Sequence, residues 1–251
     1  FCKNKINRHL ALIIVCSSLI ATGCSVDQEI SINLSGAGKT NVRISLEPAF
    51  VDYLVSLAEL TGEKISPSKV FFNVPEVKSA VEDWPGVRAV QISVPTPEQL
   101  DIELTFDNIE DVIAPTEQYQ DAASHGVSLI SLTGTDDRRI LQLHLDNQTY
   151  RQLATLFPLL EHPLIVSLGP QPNLAITDSE YLEMMQFVLG DAGPSTILSS
   201  EIKIKITVEG QLIEQSGGEL QKDGSVEIII PLLRILVLDE PLDYYIIFEQ
   251  N

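Results

Sequence analysis

Ile30, Ile32 and Leu34 alternate with Ser31 and Asn33; after a Ser-Gly-Ala-Gly cluster, Val42, Ile44 and Leu46 alternate with Arg43 and Ser45. Apolar positions two apart mark a strand with one buried face, so this stretch predicts a β-hairpin whose turn glycines supply positive φ. The period then lengthens. Phe50, Tyr53, Leu54, Leu57 and Leu60 recur at helical spacing between Pro48 and Gly62, as do Val77, Ala80, Val81 and Trp84 between Pro75 and Pro85-Gly86. Alternation returns at Val90, Ile92 and Val94 and again at Leu100, Ile102, Leu104 and Phe106, across the turn "PTPEQ". A short helix over "NIEDVIA" stops at Pro115.

Residues 115–126, "PTEQYQDAASHG", are polar and aperiodic, and read as a linker or long loop. Beyond them the order repeats in outline. Strands near 127–132 and 139–145 flank "TGTDD", and a helix runs on from Asp146/Asn147 through "TYRQLATLF". A Pro-rich crossing follows. Thr177-x-x-Glu180 is a capping box for "SEYLEMMQFVL", which Gly190 terminates. Strands return at Ile202–Val208, Leu212–Glu214, Val226–Ile230 and "DYYIIFE". Hairpins with helices set between them, rather than alternating βαβ units, predict an α+β fold with helices packed on one sheet face. The division expected is a leader at 1–23, a first α+β half at 24–114, the linker, and a similar second half at 127–251 that either stands alone or joins the first in one domain. No residue-level repeat accompanies the similar order.

The leader rests on "FCKNKINRHLALIIVCSSLIATGC". Lys3, Lys5 and Arg8 precede an apolar run from Leu10 to Ala21, which is shorter than the about 20 residues a spanning helix needs and matches a signal-peptide core. Ala21-Thr22-Gly23-Cys24 resembles a bacterial lipobox, departing from the commoner Leu at Ala21. That resemblance implies a diacylglyceryl group and fatty acids such as palmitate on Cys24, cleavage before it, and a membrane-anchored envelope protein. Ser25 after the cysteine implies export to the outer membrane, facing the periplasm. All three cysteines, Cys2, Cys16 and Cys24, lie at or before the cleavage point, so no thiol remains to form a disulfide in an oxidising compartment.

Charge narrows the partners. Removing residues 1–23 removes Lys3, Lys5 and Arg8 and no acid, so 13 basic against 35 acidic residues leave a formal charge of −22. A surface of that sign repels phosphate backbones and excludes nucleic-acid binding. Its acids are dispersed among ordinary apolar content, as on a solvated folded domain.

Chemistry finds little to work with. Gly38-Lys39-Thr40 ends like a Walker A loop, but Asn33 stands where the first glycine belongs and strands lie on both sides. His125, His144 and His162 are dispersed, and His144 in "LQLHL" is expected on the exposed face opposite Leu141, Leu143 and Leu145. No metal site, cofactor or catalytic residue is therefore expected, and the protein reads as a non-enzyme. Asp136-Asp137-Arg138-Arg139 reads as a self-compensating turn, and Asp239, Glu240 and Asp243 gather around a proline. "PLLRILVL" at 231–238 is apolar without alternation. It reads either as a strand buried on both faces or a loop closing a sheet edge, or as an apolar patch or ligand lining. On the latter reading Leu232, Leu233, Arg234, Leu236 and Tyr245 are the candidate contacts for an apolar ligand or an envelope partner.

Two further resemblances carry fold expectations. The helix-strand-strand-helix order at 75–113, with "WPGVRAVQISV", resembles half of a ferredoxin-like domain, although "FFNVPEV" stands where metal-carrying relatives place Cys-x-x-Cys. "VEGQLIEQSGGELQKDGSVEIIIPLL" at 208–233 is similar to the closing hairpin of LppM-like envelope lipoproteins. That likeness implies a lipobox followed by an α+β domain with a lipid-binding or envelope role; apart from it, the acidic face or "PLLRILVL" offers the alternative of a scaffold that docks a protein partner.

Overall fold

The computed structural model describes residues 24–48, 51, 55, 72, 74–82, 84, 86–112, 128–150, 168–170 and 176–250. The expected linker at 115–126, most of the expected helix at 48–60 and the Pro-rich crossing lie outside them or nearly so. Strands β1 (Ser25–Ile32) and β2 (Gly38–Ser45) form the expected antiparallel hairpin. Asn33 builds its turn: the Oδ1 accepts from Ser35 N at 2.9 Å and Ala37 N at 3.2 Å. Only one turn glycine uses its conformational freedom, Gly36 at φ 90°. Gly38 is required for space, because a Cβ there would meet the Ser31 carbonyl.

Helix α1 (Val74–Glu82), strands β3 (Val87–Thr96) and β4 (Gln99–Phe106) and helix α2 (Ile109–Val112) follow in the expected order. Then come β5 (Ile130–Gly134) and β6 (Arg138–Leu145), and helices α3 (Asp178–Leu189) and α4 (Gly193–Ser199). The chain closes with β7 (Glu201–Val208), β8 (Gln211–Ser216), β9 (Glu219–Leu220), β10 (Val226–Pro231), helix α5 (Leu232–Val237) and β11 (Leu242–Glu249). The capping box at α3 is complete, with Thr177 accepting from Glu180 N and Glu180 accepting from Thr177 N.

The fold is α+β, with two largely antiparallel sheets. One has the order β3-β4-β2-β1-β7-β10-β9, the other β5-β6-β11-β8. The pairing that local pattern does not foretell is β1 with β7, which run parallel from Ser25↔Glu201 to Ile32↔Val208. It unites strands from either side of residues 115–126 in one sheet. The last third of the chain stitches the sheets together: β8 leaves β7 to pair with β11, β9 returns to β10, and α5 carries the chain across again. The inward alternating residues of both sheets, among them Ile30, Ile32, Ile102, Leu104, Ile228, Leu141, Ile246 and Phe248, share a single apolar core.

The helices gather in two places. Val77 and Val81 of α1 pack on that core, while α3, α4 and α5 enclose a satellite cluster of Tyr181, Met185, Ile197, Leu233 and Val237.

Candidate functional site

Cys24 stands directly before β1. Its carbonyl accepts from Glu201 N at 3.2 Å, and its half-buried sulfur accepts from Glu47 N at 3.4 Å. Burial pushes the thiol pKa up, against the hydrogen bond from Glu47. Ser200, which touches the same sulfur, ends α4, and its carbonyl accepts from Leu232 N at 2.9 Å. The cysteine, the end of α4 and the start of α5 therefore meet at one end of the sheet.

The segment expected as a strand or closing loop is a helix. After β10 the backbone turns at Pro231, Leu232–Val237 coil as α5, and Leu238 closes it in the left-handed region at φ 43°. Its lack of alternation has a physical reason. A helix packed between two cores is apolar all round: Ile235 and Leu238 enter the main core, and Leu233 and Val237 the satellite one. Leu232 and Leu236 pack half-buried on that satellite cluster.

Arg234 lies near Tyr244, where its charge opposes the burial that raises the phenol pKa. Tyr245 points away on β11, and its hydroxyl donates to Glu214 Oε1 at 2.6 Å. The structure thus brings Leu232, Leu233 and Leu236 together and separates Arg234 and Tyr245 from them.

His144 is not a free surface side chain. Its Nδ1 lies 2.6 Å from Asp243 Oδ1, and its Nε2 lies 3.4 Å from Asp146 Oδ2. The Asp243 hydrogen bond, with help from Asp146, raises the imidazole pKa against partial burial. Burial pushes the Asp146 carboxyl upward, but Thr149 N, His144 and other donors prevail and hold it below its ordinary value. Asp146 also caps the helical turn that follows, accepting from Gln148 N at 2.9 Å and Thr149 N at 2.8 Å. The expectation of an exposed histidine missed both partners: Asp146 lies two residues on in the sequence, and Asp243 reaches His144 only through the β6–β11 register.

Among the described residues no three His, Cys, Asp or Glu side chains converge as a metal site. Asp136 and Asp239 stand at opposite ends of the β6–β11 ladder, which pairs Leu242 with Leu145 and Glu249 with Arg138. In the turn itself, Arg139 Nη2 lies 3.6 Å from Asp136, and Arg139 Nε donates to Leu34 O at 2.8 Å, tying the two sheets.

The outer face of the larger sheet is a charge lattice. Arg43 sits between Asp27 and Asp101 in register, and Lys205 between Glu29 and Glu227. Arg43 Nε reaches Asp101 at 3.1 Å, and Lys205 Nζ reaches Asp223 at 2.7 Å. Hydrogen bonding to Glu201 and to Asp223 raises the pKa of Lys203 and Lys205 respectively, so both stay charged. Two solvent-open depressions lie on this face. Glu29, Ser31, Lys39, Asn41 and Lys205 line one, and Asn41, Arg43, Gln91, Ser93, Asp101 and Glu103 the other.

No protein-family model matches the chain, and no curated protein matches it. Among solved structures, the chain is similar to the folded domain of the LppM protein of Mycobacterium tuberculosis, determined by NMR. The two share 10% identity with a TM-score of 0.41, over 92% of this chain and 91% of that one.

Proposed function

We propose that the protein is a lipoprotein of the bacterial envelope, acylated at Cys24 and held at the periplasmic side of the outer membrane. There it works by surface binding to an envelope component, without catalysis. The observation that carries the anchoring is the leader that ends on Cys24, with every cysteine of the chain at or before that position. Two or three acyl chains, at about 0.8 kcal/mol per buried methylene, make such an anchor effectively permanent.

The mode of binding follows from packing. The interior between the sheets is filled by side chains such as Ile32, Ile228, Ile246 and Phe248, all fully buried. The depressions described above are open and lined by charge and amide groups, which suits a polar or ionic partner better than an enclosed apolar molecule. Metabolic labelling with a fatty-acid probe tests the anchor: the probe should enter the wild-type protein and be lost in Cys24→Ser. In-cell crosslinking from the β1–β2–β4 face tests the binding mode. A dominant adduct with an envelope component supports it, and lipid that stays with the delipidated domain in a native mass spectrum contradicts it.

A further inference from the structure

We propose that the α3–α4 helical hairpin docks on the same bilayer that holds Cys24, with Phe187 and Leu198 entering the headgroup layer. The inference rests on the anchoring reading and adds an orientation to it. Phe187 of α3 is 92% exposed and Leu198 of α4 is 61% exposed, both outside the stripe that Tyr181, Met185 and Ile197 send into the satellite cluster.

The occupant of that surface follows from where the chain is tethered. β1 begins at Ser25, the residue after Cys24, so the acylated residue and the sheet are separated by no more than one extended residue, about 3.5 Å. A glyceryl group at the acyl boundary therefore pulls this end of the sheet into the headgroups. The hairpin is at that end. Glu201 N bonds Cys24 O at 3.2 Å, Ser200 terminates α4, and β7 leaves in parallel with β1.

Running away from the anchor, the eight residues of β1 carry the Asn33–Ala37 turn about 26 Å outward. Charge selects the lipid. Residues 178–199 hold Asp178, Glu180, Glu183 and Asp191 and no Lys, Arg or His, so a zwitterionic surface is favoured over an anionic one, with the apolar side chains as the contact.

The test uses the mature lipoprotein, in which Cys24 is blocked and no other cysteine remains. Phe187→Cys, Leu198→Cys and, as a control, Ile213→Cys on β8 are each labelled with the environment-sensitive fluorophore NBD. They are then reconstituted in phosphatidylethanolamine–phosphatidylcholine vesicles containing a lipid with a doxyl quencher near the headgroup. The expected result is loss of fluorescence at positions 187 and 198 and none at 213. Vesicle-bound protein with all three unquenched overturns the docking, assigns the surface to another partner and leaves the anchor intact. Protein that carries no acyl group and stays off the vesicles overturns docking and anchor together.

Discussion

Phe248→Ala tests whether the space between the sheets is a packed core or room for a guest. Phe248 lies on β11 of the smaller sheet, is fully buried, and belongs to the same cluster as Ile32 on β1 of the larger sheet. Removing its ring loses the transfer free energy of a buried aromatic, about 2–3 kcal/mol, and leaves a cavity that sheets on both sides prevent from collapsing. The sum expected is about 3–5 kcal/mol. For a domain of this size that lowers Tm by roughly 6–20 °C. The assay is urea unfolding of residues 24–251 carrying Cys24→Ser, followed by circular dichroism and by fluorescence to check that one transition is seen. Ile229→Ala on the outer face, where the side chain is 45% exposed, is the control and should change stability by about 0.5 kcal/mol or less. A cost of about 1 kcal/mol or less for Phe248→Ala would refute the packed interior and return an enclosed apolar ligand to first place.

Two further outcomes follow from local chemistry. Thr177→Ala removes the side-chain cap of α3, where Glu180 N bonds Thr177 Oγ1 at 3.3 Å, and should cost about 1 kcal/mol in the same unfolding assay. His144→Gln should destabilise in a pH-dependent way. Its folded-state pKa is raised above 6.5, so the contribution is full below that value and is lost as pH rises through the raised one. Asp146, held below 3.8, contributes above its ordinary value and loses that as pH falls. The gap between wild type and His144→Gln is therefore widest between those limits and closes in alkali. Because Asp243 is 56% exposed and screened by solvent, the gap stays near 1 kcal/mol or below. A gap that widens toward alkaline pH would show that the histidine is not held protonated by its carboxylates.

What local pattern shows and what it hides divide along one physical line. Alternation at Ile30/Ile32, Leu100–Phe106 and Ile202–Val208 reports that a strand has one wet face, and each of these is a strand with that face outward. Thr177 and Glu180 report a helix start because both partners of the cap lie within one turn. Pairing over long separations leaves no such trace: nothing near Val26 announces Ile202 as its neighbour, and nothing near His144 announces Asp243. "PLLRILVL" fails as a strand for a related reason. Six residues with Arg234 as their one polar side chain satisfy a two-sided strand and a two-sided helix equally, and only the second core, under α3 and α4, decides between them.

The parallel β1–β7 pair links the fold to the proposed role. An antiparallel partner would have sent the chain after α4 in from the far end of β1, some eight residues from Cys24. Parallel pairing instead starts both strands at the same end, Ser25 beside Glu201, so whatever precedes β7 must lie beside whatever precedes β1. What precedes β1 is Cys24, and what precedes β7 is the α3–α4 hairpin with Phe187 and Leu198 exposed. At the other end stand the turn acids Asp136 and Asp137, near the hairpin tip through the Arg139–Leu34 bond, and the outer face of the sheet stands between. If Cys24 carries the proposed anchor, that end of the domain is the one at the lipid, and the charge lattice of the larger sheet would lie side-on to the bilayer, within reach of a partner outside the headgroup layer.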